Sequence, residues 1–155
     1  MSKRNSGFTL IELLVVIGIL AVLLAIVLVA INPARQFAQA NNTKRASDIN
    51  ALLNAVHQYA ADNKGNITAL GITDTATVIN STNGFAGLCN ALVTEYIAAL
   101  PVDPLTNNGI PVQEATCGGT WDTNYTISRS VADNRITVVA TATEAPITTP
   151  LSVMR

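Results

Sequence analysis

The chain has 155 residues, of which 49% are hydrophobic and only 12% charged, and its formal charge is -1. That balance offers no basic face for nucleic acid, and about 155 residues suit one modest domain plus an appendage. The polar opening stretch Met1 to Gly7 carries Lys3 and Arg4, which favours retention of this end in the cytoplasm. Leu13 to Ile31 then runs without a charged residue, long enough for a helix to cross a bilayer. Glu12 stands at the edge of that run, where a carboxylate costs up to roughly 2.5 to 3.5 kcal/mol unless it snorkels to the interface or finds a cation. A secretory signal has a shorter apolar core and a small-residue cleavage site, and Leu28-Val29-Ala30 is a poor match to one.

The string Gly7-Phe8-Thr9-Leu10-Ile11-Glu12-Leu13-Leu14-Val15-Val16, behind a basic leader, resembles the prepilin motif of the type IV pilin and type II secretion pseudopilin superfamily. The resemblance implies a prepilin peptidase that cuts between Gly7 and Phe8 on the cytoplasmic side and methylates the Phe8 amine. It also implies assembly into a helical homopolymer in which the Phe8 amine of one copy meets Glu12 of a neighbour, driven by a pilus assembly platform and motor. The precursor would span the inner membrane once before joining an extracellular filament. Loss of Lys3 and Arg4 with the leader would change the balance from 9 basic against 10 acidic to 7 against 10, or -3.

Next comes Asn32-Pro33. Proline lacks the donor for the carbonyl of Val29 and crowds that turn, so a bend in a continuing helix is expected at Pro33. Gly18 is a second weak point, or else a place for close helix packing. Ile49, Leu52, Leu53, Val56, Tyr59 and Ala60 recur at three- and four-residue steps, with Arg45, Asp48, Asn50, Asn54 and Asp62 assigned off that stripe. This amphipathic helix is expected to stop at Lys64-Gly65. His57, the single histidine, reads as a residue at the helix border, with no second ligand or base spaced for metal binding or catalysis.

Residues 66–83 read as a loop with one or two short strands, and Phe85 to Leu100 as a helix ended by Pro101. Leu100-Pro101-Val102-Asp103-Pro104 resembles the Leu-Pro-x-Asp-Pro loop of major pseudopilins and related small pilins. In those pseudopilins a loop elsewhere binds calcium. Here Asp122, Asn124, Asp133 and Asn134 are too thin a set for the usual six to eight oxygens, so no metal and no cofactor is expected. Cys89 and Cys117 read as a disulfide in an exported domain, the alternative being two separately buried thiols. The family usually places its bridge nearer the C-terminus, so the pairing does not carry over by position.

Tyr125, Ile127, Ile136, Val138 and Ala140 alternate in 124–130 and 135–143 around Ala132-Asp133-Asn134, which predicts a hairpin. Residues 144–155, with Pro146 and Pro150, read as an edge strand or a mobile tail. Asn41, Asn66, Asn80 and Asn124 each precede a Thr by two places, a pattern expected by chance in a chain this rich in Asn and Thr. The expected fold is α+β, a long N-terminal helix on a small antiparallel sheet. Its parts are a leader at 1–7, an apolar membrane or filament-core helix at 8–33, an amphipathic helix at 34–64 and a globular head at 65–155. No nucleophile elbow or phosphate loop is present, so enzymatic activity is not expected. A pilus subunit for adhesion, twitching or DNA uptake is the leading expectation. The alternatives are a pseudopilin of a secretion machine and a membrane-tethered binding domain that does not polymerise.

Overall fold

The computed structural model describes residues 7–155. The basic part of the expected leader, Met1 to Ser6 with Lys3 and Arg4, lies outside the described residues. The chain divides into two units, Met1–Phe37 and Ala38–Arg155.

In the first unit, α1 spans Leu10–Ile31 without a break at Gly18, and none of its residues is buried. At about 1.5 Å per residue it is about 33 Å long, close to the thickness of a bilayer's hydrocarbon core. A single residue then interrupts the long N-terminal helical stretch. Asn32 takes the left-handed conformation (φ 47°) and closes α1, and the next helix, α2, begins at Pro33 and runs to Asp62. A bend inside one continuous helix was the expectation, and a one-residue break is the outcome. Its cause is local: a residue before proline avoids the right-handed helical region, and asparagine tolerates the left-handed one. Asn32 also accepts a hydrogen bond from the Arg35 amide through Oδ1 (3.4 Å), so it caps α2 while Pro33 fills the first helical position.

The second unit holds α2 from Ala38 onward and a four-stranded antiparallel sheet in the order β1-β2-β3-β4: Thr77–Asn80, Asp122–Arg129, Ile136–Ala140 and Leu151–Met154. The expected α+β architecture is the observed one. β2 and β3 pair in the register Tyr125↔Ala140, Ile127↔Val138 and Arg129↔Ile136. Strand side chains alternate between faces, so Tyr125, Ile127, Ile136, Val138 and Ala140 all turn inward. They meet the buried stripe of α2, formed by Ile49, Leu52, Leu53, Ala55 and Val56. α2 ends in a left-handed turn in which Gly65 (φ 82°) donates to the Ala60 carbonyl at 2.7 Å, a conformation suited to glycine. β4 pairs with β3, so the last segment is an edge strand rather than a tail, and both of its prolines precede the ladder.

The helix expected over Phe85 to Leu100 is shorter. α3 spans Ala86–Leu92, and Val93 is already extended. Val93 and Thr94 are adjacent β-branched residues of low helix propensity, and Thr94 adopts φ 74°. The turn still buries Leu88, Leu92 and Val93 and half-buries Tyr96 and Ile97, so the apolar spacing had a purpose without a full helix. At Gly87, an added Cβ would sit 2.8 Å from the Ala69 carbonyl oxygen, so α3 lies against the Thr68–Leu70 turn as only glycine permits.

Candidate functional site

The amino-terminal segment is built from a helix start. Thr9 is extended (φ -82°, ψ 152°) and caps α1, accepting from the Glu12 amide at 3.3 Å. Glu12 returns the bond: its Oε2 accepts from the Thr9 amide at 2.8 Å and from the Thr9 hydroxyl at 2.7 Å. This reciprocal arrangement satisfies two of the free donors at a helix start and sets a negative charge at the positive end of the helix dipole. In a single copy the carboxylate is held by its own first turn. Beside it, Phe8 is 91% exposed, and large apolar side chains from Leu10 to Ile31 stand exposed along the helix.

Residues 2–28 match the family model described as the prokaryotic N-terminal methylation motif, which is the hallmark of the prepilins of type IV pili and pseudopili. The chain carries the prepilin signature. Beyond the decamer at Gly7–Val16, the match takes in Lys3, Arg4 and α1 as far as Leu28. No curated protein and no solved structure matches the chain. Among the described residues α1 is the one helix long and apolar enough to cross a membrane, and together with the motif it fits a membrane-anchored precursor.

In the second unit, Arg45, which sequence reasoning set off the buried stripe, is the centre of a charged cluster. Arg45 is 0% exposed. Its Nε and Nη2 donate to Asp103 at 2.6 and 3.1 Å, and its Nη1 donates to Glu144 Oε2 at 2.8 Å and to Asn42 Oδ1 at 3.0 Å. Asn41 donates to the same Glu144 oxygen at 2.8 Å, and the Glu144 amide donates to Asn42 Oδ1. A planar fork suits this task, because a buried guanidinium must fill its donors with charged acceptors. The Asp103 hydrogen bond holds Arg45 above its ordinary pKa against the opposing effect of burial. Arg45, followed by Asn41, holds Glu144 below the usual carboxylate range. Nearby, burial and then a 2.9 Å hydrogen bond to Asp48 push the Tyr125 hydroxyl well up.

The cluster ties α2 to two connections. Asp103 belongs to the Leu100–Pro104 loop, whose turn it shapes by accepting from the Leu105 amide at 2.9 Å. Glu144 opens the segment leading to β4. Arg45 could have been found from spacing, because 45, 49, 52 and 56 follow the helical stripe; its charge argued against burial.

Cys89 of α3 and Cys117 are joined as a disulfide, with Cα atoms 5.6 Å apart. Trp121 donates through Nε1 to the Cys117 carbonyl at 3.0 Å, so the ring braces the same corner. Asp122 begins β2, whereas Asp133 lies in the turn beyond its other end, so the acidic set weighed for calcium is split between two ends of the sheet. Among the described residues no group of three or more His, Cys, Asp or Glu could hold a metal ion.

Proposed function

We propose that the chain is the structural subunit of a type IV pilus. In this reading residues 1–7 are a leader removed by prepilin peptidase at the Gly7–Phe8 bond, and the new Phe8 amine is methylated. Residues 8–33 lie in the inner membrane and later in the filament core, 34–64 form the amphipathic helix, and 65–155 complete the exposed head. Assembly brings the Phe8 amine of one copy to Glu12 of the next, with Gly18 and Pro33 as the places where the helix yields. Contacts between unlike patches that do not close on themselves extend without limit, which suits a filament. The subunit is structural and non-enzymatic, and its partners are further copies of itself, the peptidase, and the assembly platform with its motor.

One observation carries the reading: the methylation motif over residues 2–28 takes in most of a 22-residue apolar helix in which no residue is buried. In water that surface would be costly at about 25 cal/mol per Å² of apolar area, so it belongs in lipid or against other copies. Mass measurement of the mature amino terminus tests this. A chain beginning at methylated Phe8 is expected; one beginning at Met1 or near Ile31 would overturn the proposal.

A pseudopilin of a secretion machine is the second reading, favoured by the Leu100–Pro104 loop. Neighbouring genes separate the two. A retraction motor supports the pilus, and an outer-membrane secretion channel with several pseudopilins supports the other.

A further inference from the structure

Two Asn-Gly pairs occur in the chain, Asn83-Gly84 and Asn108-Gly109. An asparagine before glycine is a reactive pair, because the glycine nitrogen carries no neighbouring side chain to obstruct its approach to the asparagine carboxamide. The attack closes a five-membered ring, so it needs a free backbone nitrogen and room for the turn to bend. The two pairs differ in both respects.

At Asn108-Gly109 the nitrogen is engaged: the Gly109 amide donates to the Thr106 carbonyl at 2.8 Å, and the next amide, of Ile110, donates to the Asn107 carbonyl at 3.1 Å. That glycine is also packed, since a Cβ added to it would stand 3.4 Å from Pro104. At Asn83-Gly84 no acceptor faces the Gly84 amide among the described residues, and nothing lies within 4 Å of the place a Cβ would take. Both residues are exposed, in the turn between β1 and α3. The Asn83 side chain has one restraint, its Nδ2 donating to the Val78 carbonyl at 2.9 Å on a surface where water competes for the bond. That carbonyl lies where the pairing of β1 with β2 is irregular, between Val78 and Asn80.

We propose that Asn83 is a site of uncatalysed deamidation and that Asn108 is protected from it. The Gly84 nitrogen, giving up its proton to hydroxide, bonds to Asn83 Cγ; the bond from Cγ to Nδ2 breaks, and Nδ2 leaves as ammonia with a proton from water. A second water opens the cyclic imide at either carbonyl, leaving aspartate or isoaspartate, with nothing oxidised or reduced. Either product carries a carboxylate in place of the amide, which has no proton to give the Val78 carbonyl. Isoaspartate also lengthens the backbone by one carbon just ahead of Phe85, whose amide donates to the Asn80 carbonyl at 3.4 Å. β1 is an edge strand held by β2 alone, so the change loosens that edge of the sheet. The site lies wholly within the second unit of a single copy and does not depend on filament assembly.

The full-length protein, held in non-ionic detergent micelles in mildly alkaline buffer, is sampled over time and mapped by tandem mass spectrometry of its peptides, with isoaspartate counted by enzymatic methylation. In the folded protein Asn83 is expected to convert at least about tenfold faster than Asn108, and in reduced protein unfolded by urea the two rates are expected to converge. Equal rates in the folded protein, or an intact Asn83 under conditions where the unfolded chain converts, would overturn the proposal. Asn83→Asp reproduces one product directly and is expected to speed hydrogen exchange at the β1 amides several-fold while that of β3 is unchanged. Unaltered β1 exchange in that variant would overturn the loosening of the edge.

Discussion

Exchanging Arg45 for methionine would keep the length of the side chain while stranding Asp103 and Glu144 without their cation. Asp103 is 1% exposed and would remain a buried, unpaired charge, so the head is expected to lose about 3 to 5 kcal/mol in urea unfolding. Adding Asp103→Asn and Glu144→Gln to that variant is expected to restore most of the loss, since removing a whole buried ion cluster is far cheaper than breaking it. Glu144 gives the cluster a pH dependence. Its folded pKa lies below the ordinary value of 4.5, so its contribution is complete above that value and disappears as pH falls through the lower, folded one. Thermal melts from about pH 3 to pH 7 should therefore show a decline on the acid side that is shallower in Glu144→Gln. At this scale the sequence was partly legible. The cysteine pair stood out by chemistry and position. Arg45 did not, because a lone charge on an apolar stripe is recognised as paired only once Asp103 and Glu144, far away in sequence, are brought to it.

Elements were legible where a single period governed them. The β2–β3 hairpin follows strict alternation, and α2 follows its three- and four-residue spacing up to a glycine stop. α3 was overestimated because Tyr96 and Ile97 continue the apolar spacing while Val93 and Thr94 leave the helix, and local propensity won over periodicity there. The break at Asn32 was seen as a bend because proline was weighed and the asparagine before it was not. The disulfide from α3 to Cys117 closes a loop of 28 residues, worth on the order of 3 to 4 kcal/mol by loop-closure entropy. Cys89→Ser together with Cys117→Ser is expected to lower stability by about that amount in chemical denaturation, with the helix and sheet content of the folded state retained.

For the whole molecule, the proposed filament makes a separate demand on Glu12. Glu12→Ala should leave membrane insertion intact, since it removes a charge from the edge of an apolar helix, and should abolish filaments under the electron microscope. Normal filaments from that variant would remove Glu12 from assembly and favour a tethered domain that does not polymerise. The long apolar helix and the methylation motif were readable from the first 31 residues alone, because helix length and motif spacing are local properties. Which surface of the head faces outward was not, since that depends on neighbours no single chain encodes visibly.

The bond between Glu12 and its own Thr9 bears on how such a filament would be run in reverse. Both hydrogen bonds that Thr9 donates fall on Oε2, so a docking neighbour that offers its amine to this acid would find Oε1 open and need displace nothing. In the proposed fibre each acid would then arrive already aimed by its own first turn, with less freedom left to lose on contact. A copy withdrawn into lipid would keep the same grip on its threonine, so the anchor would leave as it came, ready for another round.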